Sequence, residues 1–317
     1  MKLPAHFGTL MMVCALFSGA VKCTAQDLAP RAYVITPTRT NVINLTYSYF
    51  TGNLELDGAV PITGATATTH MPIFSYYRSF NFFGRSANFT AGVPYAVGNF
   101  QGTIQQAPKS AYRSGLLDSV FRVSVNLKGG PAMAYPDFQK WRQKVLLGVS
   151  LKVVPPTGQY DGTRLLNWGA NRWGFKPEFG YSQRWAHWLL DGYAGAWFYT
   201  TNPEFFSQNQ YYPGIRSQTQ APIAAFEVHL SYDVKPRLWF SLDGNFWSGG
   251  KTSLNGVENE MSEQRSSRVG VTGSVPLTRH QSFKVSYSRG AYIQYGGDYQ
   301  NVSVSWQYSW LGWPKQR

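Results

Sequence analysis

The sequence predicts an all-β fold: a transmembrane antiparallel up-and-down β-barrel of about 12 strands, following a cleavable signal peptide. Three observations predict it. Charged residues make up only 14% of the 317 positions, against roughly 25% in an average soluble domain. Aromatic residues reach 16%. Segment after segment alternates apolar with small polar residues, the period of a strand with two different faces. No segment after the first 25 residues is a continuous apolar run of the ~20 residues a membrane helix needs, and a barrel needs none, because its strands are apolar only at alternate positions.

The N-terminus sets the compartment. Lys2, the apolar run from Leu10 to Phe17 and the small residues before Gln26 form the three zones of a secretory signal, with cleavage expected after Ala25. Both cysteines, Cys14 and Cys23, fall inside it, so the exported chain has none and must be held together without disulfides. Removing Lys2 and Lys22 leaves 27 Lys and Arg against 16 Asp and Glu. An exported chain rarely meets nucleic acid. This balance points instead to the outer-membrane lipid and lipopolysaccharide headgroups of a Gram-negative bacterium, or equally to loop solubility. Residues 26–41 are expected as a periplasmic segment, 42–310 as the barrel and 311–317 as a tail.

Strands are expected at 42–52, 68–80, 86–97, 116–127, 145–155, 173–184, 188–200, 222–234, 237–248, 266–276, 282–293 and 300–310. The last shows the pattern plainly. In NVSVSWQYSW, Val302, Val304, Trp306, Tyr308 and Trp310 fall on one side, with Ser303, Ser305, Gln307 and Ser309 on the other. This strand should close the barrel, and its aromatic end should be read by the barrel assembly machinery. Short connections follow the even strands and long polar ones the odd strands. This places the short turns and both ends of the exported chain in the periplasm. The long link at 128–144 breaks the rule, and its residues 136–142 suit a short capped helix. Pro72, Pro94 and Pro177 lie inside strands of a sheet without edges, so bulges are expected there.

The polar faces carry mostly Ser, Thr, Asn, Gln and Gly, whereas the outside of a soluble sandwich is strongly charged. The apolar faces therefore meet lipid. In lipid every backbone group must pair, which forces closure. An Arg or Lys facing lipid near the midplane costs roughly 2–4 kcal/mol. Arg122, Lys152, Lys176, Glu178, Arg184, Glu227, His229, Asp233, Asp243, Arg268 and Lys284 are accordingly assigned to the lumen. Strand 188–200 is left open: placing Asp191 inside also turns Trp197 inside. The lumen residues either line a solute pathway, with inward Tyr or Trp adding affinity for rings, or pair across a narrow lumen and close it. About twelve strands sits between filled and open barrels.

No metal cluster, phosphate loop or cofactor motif stands out. Glu258, Glu260 and Glu263 read as solvated loop charges. Phe205, Phe206, Tyr211 and Tyr212 in another outer loop suit either a ligand or a cap. The spacings His229–Ser231 and His280–Ser282 allow a remote alternative, a barrel-embedded phospholipase with Ser as nucleophile and His as base. His229 faces the lumen and His280 a periplasmic turn, away from acyl chains, so no catalytic residue is assigned.

Four stretches carry a resemblance: QDLAPRAYVITP after the signal, RSGLLDSVFRVSVNLKG at 113–129, PPTGQYD at 155–161 and NWGANRWGFKPEFGYS at 167–182. With them the whole exported chain resembles the meta-pathway phenol-degradation proteins. The resemblance implies an outer-membrane, transporter-like barrel linked to aromatic-compound metabolism, and it assigns no residue a role. The function expected is passive passage of small molecules, aromatic or hydrophobic ones included; the alternative is a closed barrel with a structural or surface-interaction role.

Overall fold

The computed structural model describes residues 28–54, 62–104, 106–164, 166–205, 208–209, 212–213 and 216–312; the predicted signal peptide lies outside them. The wall strands are β1 (Thr40–Leu54), β2 (Ile62–Phe82), β3 (Arg85–Ile104), β4 (Ala107–Leu116), β5 (Val120–Lys128), β6 (Val145–Val154), β7 (Gly174–Trp185), β8 (Trp188–Tyr199), β9 (Ile223–Lys235), β10 (Leu238–Gly249), β11 (Gln264–Pro276), β12 (Gln281–Ile293) and β13 (Gly297–Leu311). Each pairs antiparallel with its neighbour, and β1 pairs with both β2 and β13, so the sheet closes on itself. The closing seam runs from Thr40 opposite Leu311 to Leu54 opposite Gly297. β4 and β5 share one position in the ring, which makes a twelve-strand barrel.

Burial is inverted relative to a water-soluble protein. On β9, Phe226 and Val228 are about half exposed, while Glu227, His229 and Ser231 between and beside them are buried. On β10, Leu242 is exposed and Ser241 and Asp243 are buried. Val302, Val304 and Tyr308 of the closing strand likewise face outward, with Ser305 buried. One band of outward rings stands at the end that carries the short turns. Trp188 packs edge-on against Tyr232 at 4.8 Å, Tyr232 lies 5.6 Å from Phe240, and Trp306, Tyr308 and Trp310 follow one another along β13. Such aromatic girdles mark a lipid–water interface.

Two expectations are corrected. The fourth strand is not one segment at 116–127. β3 pairs with β5 from Ala87 to Gly92 and with β4 from Tyr95 to Ile104, and β4 begins at Ala107, inside the stretch read as loop. The switch falls at Pro94, which has no N–H to offer either partner; its carbonyl accepts from Leu117 N at 3.0 Å. Pro72 and Pro177 cause no bulges: His70 faces Val97 and Ile73 faces Pro94 in one register, as Phe175 faces Phe198 and Glu178 faces Gly195. There a missing N–H interrupts the ladder without requiring an extra residue. At Pro94 the expected irregularity is present on the other side of β3, where Gly92 faces Val120 but Tyr95 faces Leu116, one residue out of register. Further register shifts occur at Thr63/Thr66, Asn126/Lys128, Asp233/Lys235 and Ser267/Arg268.

The 128–144 link contains the expected helix, α1 (Tyr135–Lys140), with proline in its first turn. Ala134 at its N-cap has no side-chain oxygen, so the cap expected there is absent. The link instead bonds to its surroundings: Ser86 N donates to Gly130 O, Ala132 N to Gly84 O and Thr38 N to Met133 O. It therefore pins the β2–β3 turn and the stretch just before β1 together.

Candidate functional site

The alternation that turns apolar residues outward places all eleven predicted lumen residues inside, at three heights. Nearest the short turns, Arg184 and Asp233 form an ion pair. At mid-height, Arg122 of β5 faces Lys152 of β6, which faces Lys176 of β7, so three cations stand in one cross-strand row. Like charges directly opposite repel, and the row needs counterions. Lys176, only 4% exposed, is held by Glu178 at 2.6 Å and Glu227 at 2.9 Å, and Arg122 lies 3.8 Å from Glu178. Glu227 also lies 3.5 Å from His229 Nε2, and His229 Nδ1 is 2.8 Å from Asp243, which accepts from Ser241 and Thr272. Higher up, Arg268 is buried with its guanidinium 3.9 Å from the Tyr299 ring centre; Lys284, opposite Ser274 near the short-turn end of β12, lines an open part of the lumen.

Into this charged lumen comes a segment that the sequence reading left outside it. Residues expected as a periplasmic extension turn back from the start of β1 and cross the barrel. Arg31 pairs with Asp233 at 2.7 Å, and its N–H donates to Asp191 at 3.2 Å. The Ala32 N–H donates to Tyr193 Oη at 3.0 Å, and the Ala32 carbonyl accepts from Arg122. Tyr33 is fully buried. Its ring lies on Gly148 and Gly180, which face each other across β6 and β7 and have no side chain to obstruct it. Its hydroxyl lies 2.9 Å from Ser150 Oγ and 3.0 Å from Glu178, and the Arg122 guanidinium lies 4.8 Å from the ring centre. The open register of β8 is settled here, with Asp191, Tyr193 and Trp197 all buried on the lumen face.

Beyond the segment, toward the long loops, a cavity of about 460 Å³ remains. Leu28, Ala29 and Ala32 contribute to its lining, as do Arg122, Lys152, Glu178, Glu227 and Lys284. Another part of the lining is apolar: Phe50, Met71, Leu117, Val154, Trp168 and Trp197. Here the expectation of small polar inward residues fails. Two apolar clusters occupy the outer half of the lumen, one around Met71, Phe100 and Trp168 and one around Val154, Trp197 and Trp247.

The loop between β6 and β7 supplies part of the cavity wall through Asn167, Trp168, Gly169, Ala170 and Arg172. Asp118, in the break between β4 and β5, clasps this loop at both ends by accepting from Gly158 N and Ala170 N, each at 2.8 Å. Gly158 and Gly169 meet backbone to backbone, where a Cβ on either would collide with the other's main chain. The loop also covers β4, whose second edge pairs with no strand among the described residues: Gln159 N donates to Leu116 O and Arg113 Nε to Leu166 O. Replacing Asp118 with Ala removes two charge-assisted bonds worth about 1.5–3 kcal/mol each. We expect D118A to admit protease between positions 158 and 170 in proteoliposomes that leave the unaltered loop intact. An equal cleavage rate in both proteins would refute the clasp.

The two-apart His and Ser pairs are not nucleophile–base pairs. Both ring nitrogens of His229 face carboxylates, and Ser231 Oγ has no hydrogen-bond partner among the described residues. Ser282 donates to Gln307, and His280 Nδ1 lies 3.0 Å from the Ser309 carbonyl. In the outer loops, Glu258 and Glu260 pair with Lys251, and Phe205 is buried. Phe206, Tyr211 and the Tyr212 side chain lie outside the described residues. The sequence reading missed Arg31, Tyr33, Trp168 and Arg172, from stretches with no alternation to read, Tyr199, from the unassigned strand, and Asp118, whose shared parity with Arg122 in the strand expected at 116–127 could have placed it inside.

Known proteins support this architecture. The family described as MetA-pathway of phenol degradation matches residues 51–303. An outer membrane channel from Pseudomonas putida F1 superposes with a TM-score of 0.71 at 15% identity, covering 90% of this chain and 100% of that one. The transport unit of the autotransporter AIDA-I from Escherichia coli superposes with a TM-score of 0.52 at 13% identity, covering 92% and 95%. At these identities the likeness is one of fold, that of outer-membrane barrels. No curated protein sequence matches the chain.

Proposed function

Since this chain belongs to the MetA-pathway of phenol degradation family, we propose that it carries small aromatic or hydrophobic molecules passively across the outer membrane through its lumen. The observation that carries this reading is the cavity of about 460 Å³ in the outer half of a closed barrel, with rings on one part of its lining and charged groups on another. That volume lies in the range of small-molecule sites, roughly 300–1,000 Å³, and it suits a single-ring solute better than a sugar chain. Three features support the assignment. The wall is that of an outer-membrane barrel, the chain's family is named for the degradation of an aromatic compound, and the P. putida relative is described as a channel.

Toward the periplasm the route narrows. The segment around Tyr33 and the Lys176–Glu178–Glu227 pairs fill the barrel there, so passage is restricted to small solutes or requires the segment to move. The competing reading, a closed barrel with a structural role, draws on the same filling. Proteoliposome swelling separates them. Small phenol-like solutes should enter faster than sugars of similar mass and faster than into protein-free vesicles. Rates equal to protein-free vesicles for every solute, with no current across a planar bilayer, would end the transport reading.

A further inference from the structure

The polar atoms around the outer cavity are unevenly matched, and the imbalance has a sign. Asp118 uses one oxygen on Gly158 N and the other on Ala170 N; Glu178 accepts from Tyr33 and pairs with Lys176. Glu227 has Lys176 on one oxygen and His229 near the other. Each carboxylate of the lining thus has a partner, although Glu227 Oε2 makes no hydrogen bond and has only His229 Nε2 at 3.5 Å. Five lining donors make no hydrogen bond among the described residues: Arg122 Nη2, which lies 3.8 Å from Glu178, Asn301 Nδ2, and three beside the apolar part of the wall, Arg172 Nη1, Trp168 Nε1 and Trp197 Nε1. The side chains of these last three are 4%, 7% and 1% exposed, and all three residues line the one cavity. A buried donor left without an acceptor costs more than the bond it would make, so the site is built for something that brings acceptors.

The surroundings narrow the class. The Arg172 guanidinium lies 4.3 Å from the Tyr199 ring centre, Tyr199 stacks on Trp197 at 5.9 Å and 4°, and the Lys152 ammonium lies 5.7 Å from the Trp197 ring centre. Arg172 Nη2 is fixed by Gln220 at 2.6 Å, which holds the guanidinium in place and leaves Nη1 for another partner. Cations therefore flank a stacked pair of rings, beside the apolar cluster that includes Trp168 and Phe100.

We propose that this cavity is a binding site for single-ring aromatic carboxylates. The carboxylate meets the unmatched donors of Arg172, Trp168 and Trp197, and the ring lies against the apolar wall. A planar oxyanion suits a guanidinium, and charge-assisted bonds are the stronger ones. This deepens the transport reading, resting on the lumen being a solute site, and names a negatively charged class in place of neutral aromatics.

The test is calorimetric titration of the detergent-solubilised mature protein with benzoate, benzyl alcohol and chloride. Benzoate should bind one site at least about tenfold more tightly than benzyl alcohol, the gain expected from a hydrogen bond to a charged group, and chloride should not displace it. R172Q should abolish the preference while retaining benzyl alcohol binding. W197F keeps an aromatic ring and removes the N–H, so it should weaken benzoate severalfold and benzyl alcohol less. Heat-modifiable gel mobility reports whether each variant is folded, and W197F decides the matter if R172Q is not. Equal affinities for benzoate and benzyl alcohol, full displacement by chloride, or W197F binding benzoate as tightly as the unaltered protein would overturn the proposal. Absence of binding by all three probes would also overturn it. Passage itself would still be judged separately, by the swelling of vesicles with neutral solutes.

Discussion

A protein without the Tyr33 ring, or without room for it, is expected to conduct several times more current than the unaltered chain. The segment that crosses the lumen has one fully buried aromatic anchor, and its seat is a pair of facing glycines, Gly148 and Gly180. A Cβ at Gly148 would come within 2.5 Å of Tyr33 Cδ1, and one at Gly180 would collide with Cδ2 and Cε2. Truncating a buried aromatic ring costs about 3–5 kcal/mol. At 1.4 kcal/mol per factor of ten, this shifts the docked–undocked balance of the segment by at least roughly a hundredfold. Tyr33→Ala removes the anchor and Gly180→Val fills the seat. The second leaves the segment unaltered and suits a strand, since β-branched residues do. Both should raise single-channel conductance in planar bilayers, and combining them should add little. Unchanged conductance in both would show that the segment is not the barrier.

The second large effect is on stability. Lys176 stands between Glu178 and Glu227, and its side chain is 4% exposed. Removing one partner of a buried pair leaves uncompensated charge, at a cost of about 3–5 kcal/mol. Here two carboxylates would face each other across the vacated position, with Arg122 3.8 Å from Glu178, Lys152 opposite the substituted residue and the His229 ring beside Glu227. We expect Lys176→Met to lower the temperature at which the barrel loses its folded gel mobility. Adding Glu227→Gln should restore part of that loss, because it removes one of the stranded charges. A double variant no more stable than Lys176→Met would mean that the Lys176–Glu227 contact contributes nothing of its own.

The strand pattern was legible because both of its causes are local. Whether a side chain meets hydrocarbon or lumen depends on its parity along one strand, and the penalty for a charge in lipid acts on each residue separately. Residues such as Phe226, Glu227, Val228 and His229 therefore declared their faces in the sequence, and eleven charged or titratable residues were placed inside the barrel from it. Closure followed as well, since lipid offers no partner to an open edge. The split fourth strand was not legible, because β4 alternates weakly and lies in a stretch rich in polar residues.

Residue order alone was enough to tell which face meets lipid, how many strands close the ring and on which side the turns are short. What fills the ring was decided only in three dimensions. Arg31 meets Asp233 and Tyr33 meets Gly148 and Gly180 across more than a hundred residues of chain, and no periodicity marks such contacts. Asp191 and Trp197 share the lumen face because Arg31 and Tyr193 on one side, and the Trp247 cluster on the other, make both welcome there. Parity is a property of a single strand, whereas a plug, a clasped loop and an unmatched set of donors belong to the space that the strands enclose.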